Sequence, residues 1–167
     1  MNSASHFLAG FIVGILILFT RVITWIDILI ILTFSTLIDL DHIVNLLRKE
    51  NRYHLRSFIQ EPLAIPMIGI PIGLIISFLL SSFIYFWLVI GVYSSHIILD
   101  YISTFEALPL DPFTKKIVKP ETMGIVFPIS PGWGHRRKDF PKAIDEIYIM
   151  IPLVIIFTVV LILYILF

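Results

Sequence analysis

The stretch FIYFWLVIGVYSSHIILDY, Phe83 to Tyr101, is apolar for most of its length and then delivers Ser94, Ser95, His96 and Asp100 near its end. An apolar segment of this length with no charge before Asp100 reads as a membrane helix whose polar end emerges on one side. Tyr85 and Trp87, near its start, read as anchors at the opposite interface. His96 and Asp100 are four residues apart, so they share one helix face, one turn from each other. Two questions then apply to the rest of the chain: which other segments are membrane helices, and which of their ends bring ligand-type side chains to the same side.

Of the 167 residues, 58% are hydrophobic and the mean hydropathy is +0.98, well above a soluble domain. An all-α, polytopic membrane protein is expected, forming a single integral membrane domain over residues 1–167. Its apolar segments are joined by connections too small to fold alone. The formal net charge is zero, so no global field recruits nucleic acid, and none is expected as a partner. The absence of cysteine excludes disulfides, thiolate metal sites and a cysteine nucleophile.

About five membrane helices are expected. The first is the apolar run Phe7 to Phe19, with Ser3 or Ser5 as N-cap; it lacks the basic start and cleavage site of a signal peptide. Gly10 and Gly14, four apart, would let a neighbouring helix come close. The second runs from Val22 to Leu40, with Asp27 near its start. A basic interfacial loop, Ile43 to Leu63, leads to a third from Ala64 to Leu80, which carries Pro66, Pro71, Gly69 and Gly73. Ser81-Ser82 is a tight turn before the fourth, Phe83 to Tyr101. Residues 102–141 are polar and proline-rich, with a hairpin expected from Ile117-Val118 and Gly124–Phe127. The fifth, Ile144 to Phe167, is apolar all round and reads as a lipid-facing closing helix.

If alternate ends face opposite sides, one side collects His6, Asp39, Asp41, His42, His54, His96, Asp100, Glu106 and His135. It also holds eleven of the twelve basic residues, all but Arg21. The positive-inside rule makes that side cytoplasmic and places the N terminus there, in a multi-pass protein of the inner or plasma membrane. The other side has almost no polar chemistry, and Asp27 is expected to pair with Arg21.

Asp39 and His42 are three apart and share a helix face; Asp41 joins them only if the helix has stopped at Leu40. With His6, His96 and Asp100 they form a candidate set of metal ligands. Imidazole nitrogen with carboxylate oxygen suits zinc, and also manganese or iron. A divalent cation lowers the pKa of water it binds to ~7, so hydrolysis is the expected chemistry. Charged acids at membrane depth cost roughly 2.5–3.5 kcal/mol each on insertion scales, which favours a paired or cation-bound cluster. The plainer alternatives are solvated helix caps and a structural His96–Asp100 hydrogen bond. Arg52, His54, Arg56 and Ser57 would grip a phosphate; the alternative is an anchor on anionic lipid. Glu106 and His135 read first as loop structure.

In this pattern the chain resembles the YdjM-like, LexA-regulated inner-membrane proteins, for which a metal-dependent hydrolase activity has been suggested. The resemblance rests on His6 with Gly10, on Asp39-Leu40-Asp41-His42 against an Asp-x-Asp-His motif, and on Ser95-His96 with Asp100 against Ser-His-x-x-x-Asp. Leu108-Pro109-Leu110-Asp111-Pro112-Phe113 matches a following proline-containing stretch. It covers roughly residues 1 to 115. The chain departs from the family's His-Arg-x-x-Thr-His-Ser, having Asn51-Arg52-Tyr53-His54-Leu55-Arg56-Ser57 instead. Arg52 and Ser57 align, but His54 falls between the two family histidines.

The leading expectation is a membrane-bound hydrolase of an ester or phosphoester, acting on a lipid or phosphorylated small molecule at the cytoplasmic rim. His6, Asp39, Asp41, His42, His96 and Asp100 would bind the metal. Asp41 and His54 would serve proton transfer, and Arg52, Arg56 and Ser57 would orient substrate. The alternatives are a metal or proton transporter, or a non-catalytic adaptor binding lipid or a cytosolic partner.

Overall fold

The computed structural model of the protein describes residues 3–36, 38, 58–102, 113, 129–130, 144–145 and 147–167. They form α1 (Ser3–Ile17), α2 (Trp25–Ser35), a short turn of 3₁₀ helix (Phe58–Gln60), α3 (Ile65–Leu79), α4 (Ile84–Tyr101) and α5 (Ile147–Leu166). A two-residue parallel pairing joins β1 (Ile129–Ser130) to β2 (Ile144–Asp145), with Ile129 opposite Ile144. The fold is all-α, as the apolar runs predict. The expected hairpin at 117–127 lies outside the described residues.

Helix α4 is the centre of the bundle. Its Leu88, Val89, Val92, Tyr93 and Ile97 are buried against Leu18, Ile30, Ile31, Phe34 and Ala64 from the surrounding segments. Close approach to it depends on small residues. A Cβ on Gly10 would come within 2.5 Å of Ser35 Cβ and 3.2 Å of Val92 Cγ1, and one on Gly14 would strike the tip of Ile31. The two glycines therefore seat α2 and α4 against α1. Because Gly10 meets Ser35 while Gly14 meets Ile31, α1 and α2 run antiparallel. Gly10 beside Val92 and Gly14 beside Leu88 set α1 antiparallel to α4 as well. Gly69 against Tyr93 and Gly73 against Phe86 do the same for α3 and α4.

Helix α3 opens with a wider turn over Ile65–Gly69, in which Ile70 N–H reaches back to the Ile65 carbonyl. That turn precedes Pro71, whose ring would press on the carbonyl four residues back in a regular helix. The Ser81-Ser82 turn is present, and Ser81 takes a left-handed φ of 50°.

The start of α2 falls at Trp25, three residues later than the hydropathy suggests. Thr24 and Asp27 form a capping box: Thr24 N–H donates to Asp27 Oδ2 at 2.7 Å, and Asp27 N–H donates to Thr24 Oγ1 at 3.4 Å. The fully buried Asp27 is also paired with Arg21, as expected. Arg21 donates to Tyr85 Oη at 3.1 Å and lies 4.9 Å from the centre of its ring. Burial would pull the guanidinium down, but Tyr85 and Asp27 hold it above its ordinary pKa. Tyr85 is therefore a buried partner of Arg21 and not a lipid anchor, whereas Trp87 is 55% exposed and fits that role.

Helix α5 has no buried residue and lies along α1. Ser5 Oγ meets Met150 Sδ at 3.0 Å near one end, and Phe11 packs edge-on to Phe157 midway. At the far end Tyr164 Oη accepts from Ile23 N–H at 2.8 Å and donates to the Arg21 carbonyl at 2.9 Å. These contacts make α5 parallel to α1. Ser5 lies inside α1, so it is not the N-cap; its hydroxyl serves α5 instead. By length and apolarity α4 and α5 suffice to cross a membrane, while α1, α2 and α3 are shorter apolar helices.

Candidate metal centre

The antiparallel packing brings the start of α1, the end of α2 and the end of α4 together. Helix α4 continues unbroken to Tyr101, so His96 and Asp100 project from one face in its last turns. Gly10 lets α2 approach until Ser35 reaches His96, and His6 enters from the first turns of α1. His6 and His96 are fully buried and Asp100 is 5% exposed.

The distances allow a ligand set. His6 Nε2 lies 3.1 Å from Asp100 Oδ1, and His96 Nε2 lies 3.4 Å from Asp100 Oδ2. One ligand atom from each residue can be chosen so that all lie within 4.8 Å of one another. Tetrahedral bonds of ~2.0–2.1 Å put neighbouring ligand atoms about 3.3 Å apart. The two imidazole rings stack, with centroids 4.0 Å apart and planes 23° from parallel. Although His6 Nε2 is close to the carboxylate, neither of its ring nitrogens has an aligned hydrogen bond among the described residues.

The tautomer of His96 is fixed by its neighbour. Its Nδ1 lies 2.8 Å from the Ser35 carbonyl oxygen, and a carbonyl only accepts, so Nδ1 carries a proton. In neutral His96 the lone pair is then on Nε2, facing an oxygen of Asp100. Two acceptors in that position require a proton or a cation between them. A second proton on His96 would supply it, while His6, whose tautomer no described neighbour fixes, can face the other oxygen as a neutral ring with its proton on Nε2. The spacing of His6, His96 and Asp100 also leaves room for one shared cation in place of that proton. A backbone carbonyl that orients a ligating imidazole is also the usual outer partner in metal sites.

Of the predicted site residues, His6, His96 and Asp100 converge. Asp39, Asp41, His42, Arg52, His54, Arg56 and Ser57 lie outside the described residues, as do Glu106 and His135. Three neighbours stand outside the predicted site set, and in the sequence Gln60-Glu61-Pro62 reads as a helix stop before the third span. Ser35 acts through its backbone, which leaves no side-chain signal. Glu61 and Gln60 are fully buried, and Tyr101, next to Asp100 in the chain, donates to Glu61 Oε2. Tyr93 donates to the Ile59 carbonyl. Two tyrosines that bracket the His96–Asp100 turn thus fasten residues 59–61 to α4. A Gln60-Glu61 pair set between Phe58-Ile59 and Pro62-Leu63, just before α3, was the available clue.

A family model described as YdjM inner membrane protein matches residues 1–167. No curated protein and no solved structure matches the chain significantly.

Proposed function

Because the chain belongs to the YdjM inner membrane protein family, we propose that it is a membrane-bound, metal-dependent hydrolase acting on an ester or phosphoester of a membrane-associated substrate. The observation that carries this reading is the His96 geometry: a Ser35 carbonyl fixes one ring nitrogen while the other faces Asp100 beside His6. His6, His96 and Asp100 would hold the ion, with zinc the first choice for two imidazoles and a carboxylate. A divalent cation there would supply Lewis acidity and a water of pKa ~7. The chain's own work is to fix the His96 ring through the Ser35 carbonyl and to bring one ligand atom from each residue within 4.8 Å of the others. Asp39, Asp41 and His42 would complete the ligand set, with Asp41 and His54 available for proton transfer. Arg52, Arg56 and Ser57 would orient the substrate.

Five membrane crossings with a cytoplasmic N terminus fit the alternating helix directions together with the side that the sequence alternation assigns to the basic residues. The lipid bilayer is then a standing partner. A transporter reading needs Asp27 as part of a path, but Asp27 is committed to Arg21 and the α2 cap.

Elemental analysis of the purified protein tests the reading first. At least one equivalent of a transition metal is expected in the parent and a clear loss in Asp100→Asn. A metal-free parent that also fails to take up added zinc overturns it.

A further inference from the structure

The depth of the triad in the membrane narrows the kind of bond that can reach it. Helix α5 is a ruler for that depth, because its 20 residues are apolar and none is buried. At 1.5 Å per residue it spans about 30 Å, the thickness of a hydrocarbon core. Tyr148, 62% exposed, and Tyr164 lie near its two ends, where aromatic residues mark the interfaces. Met150 is three residues in from the start of α5, about 5 Å along the axis. Ser5 touches Met150, and His6 is the next residue, so the triad lies at this level.

Helix α4 gives a second ruler from the opposite interface. Trp87 and, on the neighbouring segments, Trp25 and Phe83 are well exposed at that end. From Trp87 to His96 is about 14 Å along the helix and to Asp100 about 20 Å, short of a ~30 Å core by roughly 16 and 10 Å. Both rulers put the ligand residues inside the hydrocarbon boundary, by about 5 Å on the first and about 10–16 Å on the second.

Phosphates of membrane lipids lie outside that boundary, in the headgroup layers that bring a bilayer to ~40–45 Å. The acyl ester carbonyls of a glycerolipid lie at the inner edge of those layers. On the hydrolase reading above, we propose that the substrate is a glycerolipid and the bond cleaved is its acyl ester, presented from within the bilayer. Water oxygen bonds to the acyl carbon and the carbon–oxygen bond to glycerol breaks. One water proton goes to the departing alkoxide, giving a lysolipid, and the other leaves with the fatty acid as it ionises.

Two measurements test this. The chain has no cysteine, so Ile151→Cys, at a 54% exposed position beside Met150, accepts a single nitroxide label in reconstituted vesicles. Oxygen accessibility greater than that of a water-soluble nickel chelate is expected; the reverse would put the triad's level in water and overturn the proposal. Zinc-loaded protein in phosphatidylglycerol vesicles is then assayed for free fatty acid, and in parallel with soluble bis(p-nitrophenyl) phosphate. Fatty acid release at least about tenfold above that of Asp100→Asn supports the proposal. Cleavage of the soluble phosphodiester without fatty acid release overturns the acyl-ester assignment and leaves the hydrolase standing. Cleavage of neither by zinc-loaded protein overturns both.

Discussion

The carbonyl oxygen of Ser35 lies 2.8 Å from Nδ1 of His96, so the end of α2 sets the tautomer of a side chain on α4. That relationship depends on α1, because Gly10 is the point where α2 comes close enough. An added methyl at Gly10 meets Ser35 Cβ at 2.5 Å, an atom fixed to the backbone, so α2 must move. At Gly14 the atoms met are Cδ1 and Cγ1 of the buried Ile31 side chain, at 2.4 and 2.9 Å, a clash that falls on a side chain remote from Ser35. Gly10→Ala is expected to weaken zinc binding by about 10–100-fold, the usual effect of losing an outer partner of a ligand. Gly14→Ala should bind zinc like the parent. Competition with a chromophoric chelator reads both, and equal affinities in the two variants would remove Ser35 from the site.

Loss of a ligand should exceed loss of its support. Asp100→Asn keeps the shape but removes the charge that faces both imidazoles. Zinc affinity is expected to fall by more than the ~100-fold upper range for outer partners. His96→Gln should do the same, and circular dichroism should show the helices retained. A variant that still binds zinc like the parent would mean that the ion sits elsewhere.

How much of this was readable in advance depends on what kind of signal each residue leaves. His96 and Asp100 were legible because their spacing is a helix period, and His6 because chain alternation put it on the same side. Asp27 with Arg21 was legible as two opposite charges beside one short turn. Ser35 was not, since its contribution is a carbonyl that every residue carries. Tyr85 was misread because an aromatic near a span's end has the same composition whether it faces lipid or a guanidinium. The position of Trp25 as the first residue of α2 depended on the Thr24 and Asp27 side chains, which outweighed hydropathy. The Ser5 misreading has the same origin: a serine two residues inside a helix looks like a cap until its partner Met150, 145 residues on, is known.

The opposite end of the bundle is held by Arg21 and should matter for stability and not for metal. Arg21→Met would leave the Asp27 carboxylate buried with only the Thr24 contacts. Removing one partner of a buried pair costs about 3–5 kcal/mol, and the low end is expected because the Arg21 side chain is 29% exposed. Thermal unfolding in detergent should show a clear fall in midpoint while zinc stoichiometry is unchanged. An unaltered midpoint would show that the pair contributes nothing net.

The pH dependence separates a metal site from a plain imidazolium–carboxylate pair. Zinc binds imidazole only in its neutral form, so protons compete with the ion at His6 and His96 and binding releases whatever protons the empty site held. The affinity therefore falls as the pH is lowered. Once both rings are protonated in the empty site, its logarithm should fall by about two for each pH unit. His6→Gln removes one competing ring, so the limiting slope should drop to about one, with a weaker affinity throughout. Calorimetric titration in buffers of different ionisation enthalpy counts the protons released. An affinity independent of pH, or an unchanged slope in His6→Gln, would show that the ion is not held by that imidazole.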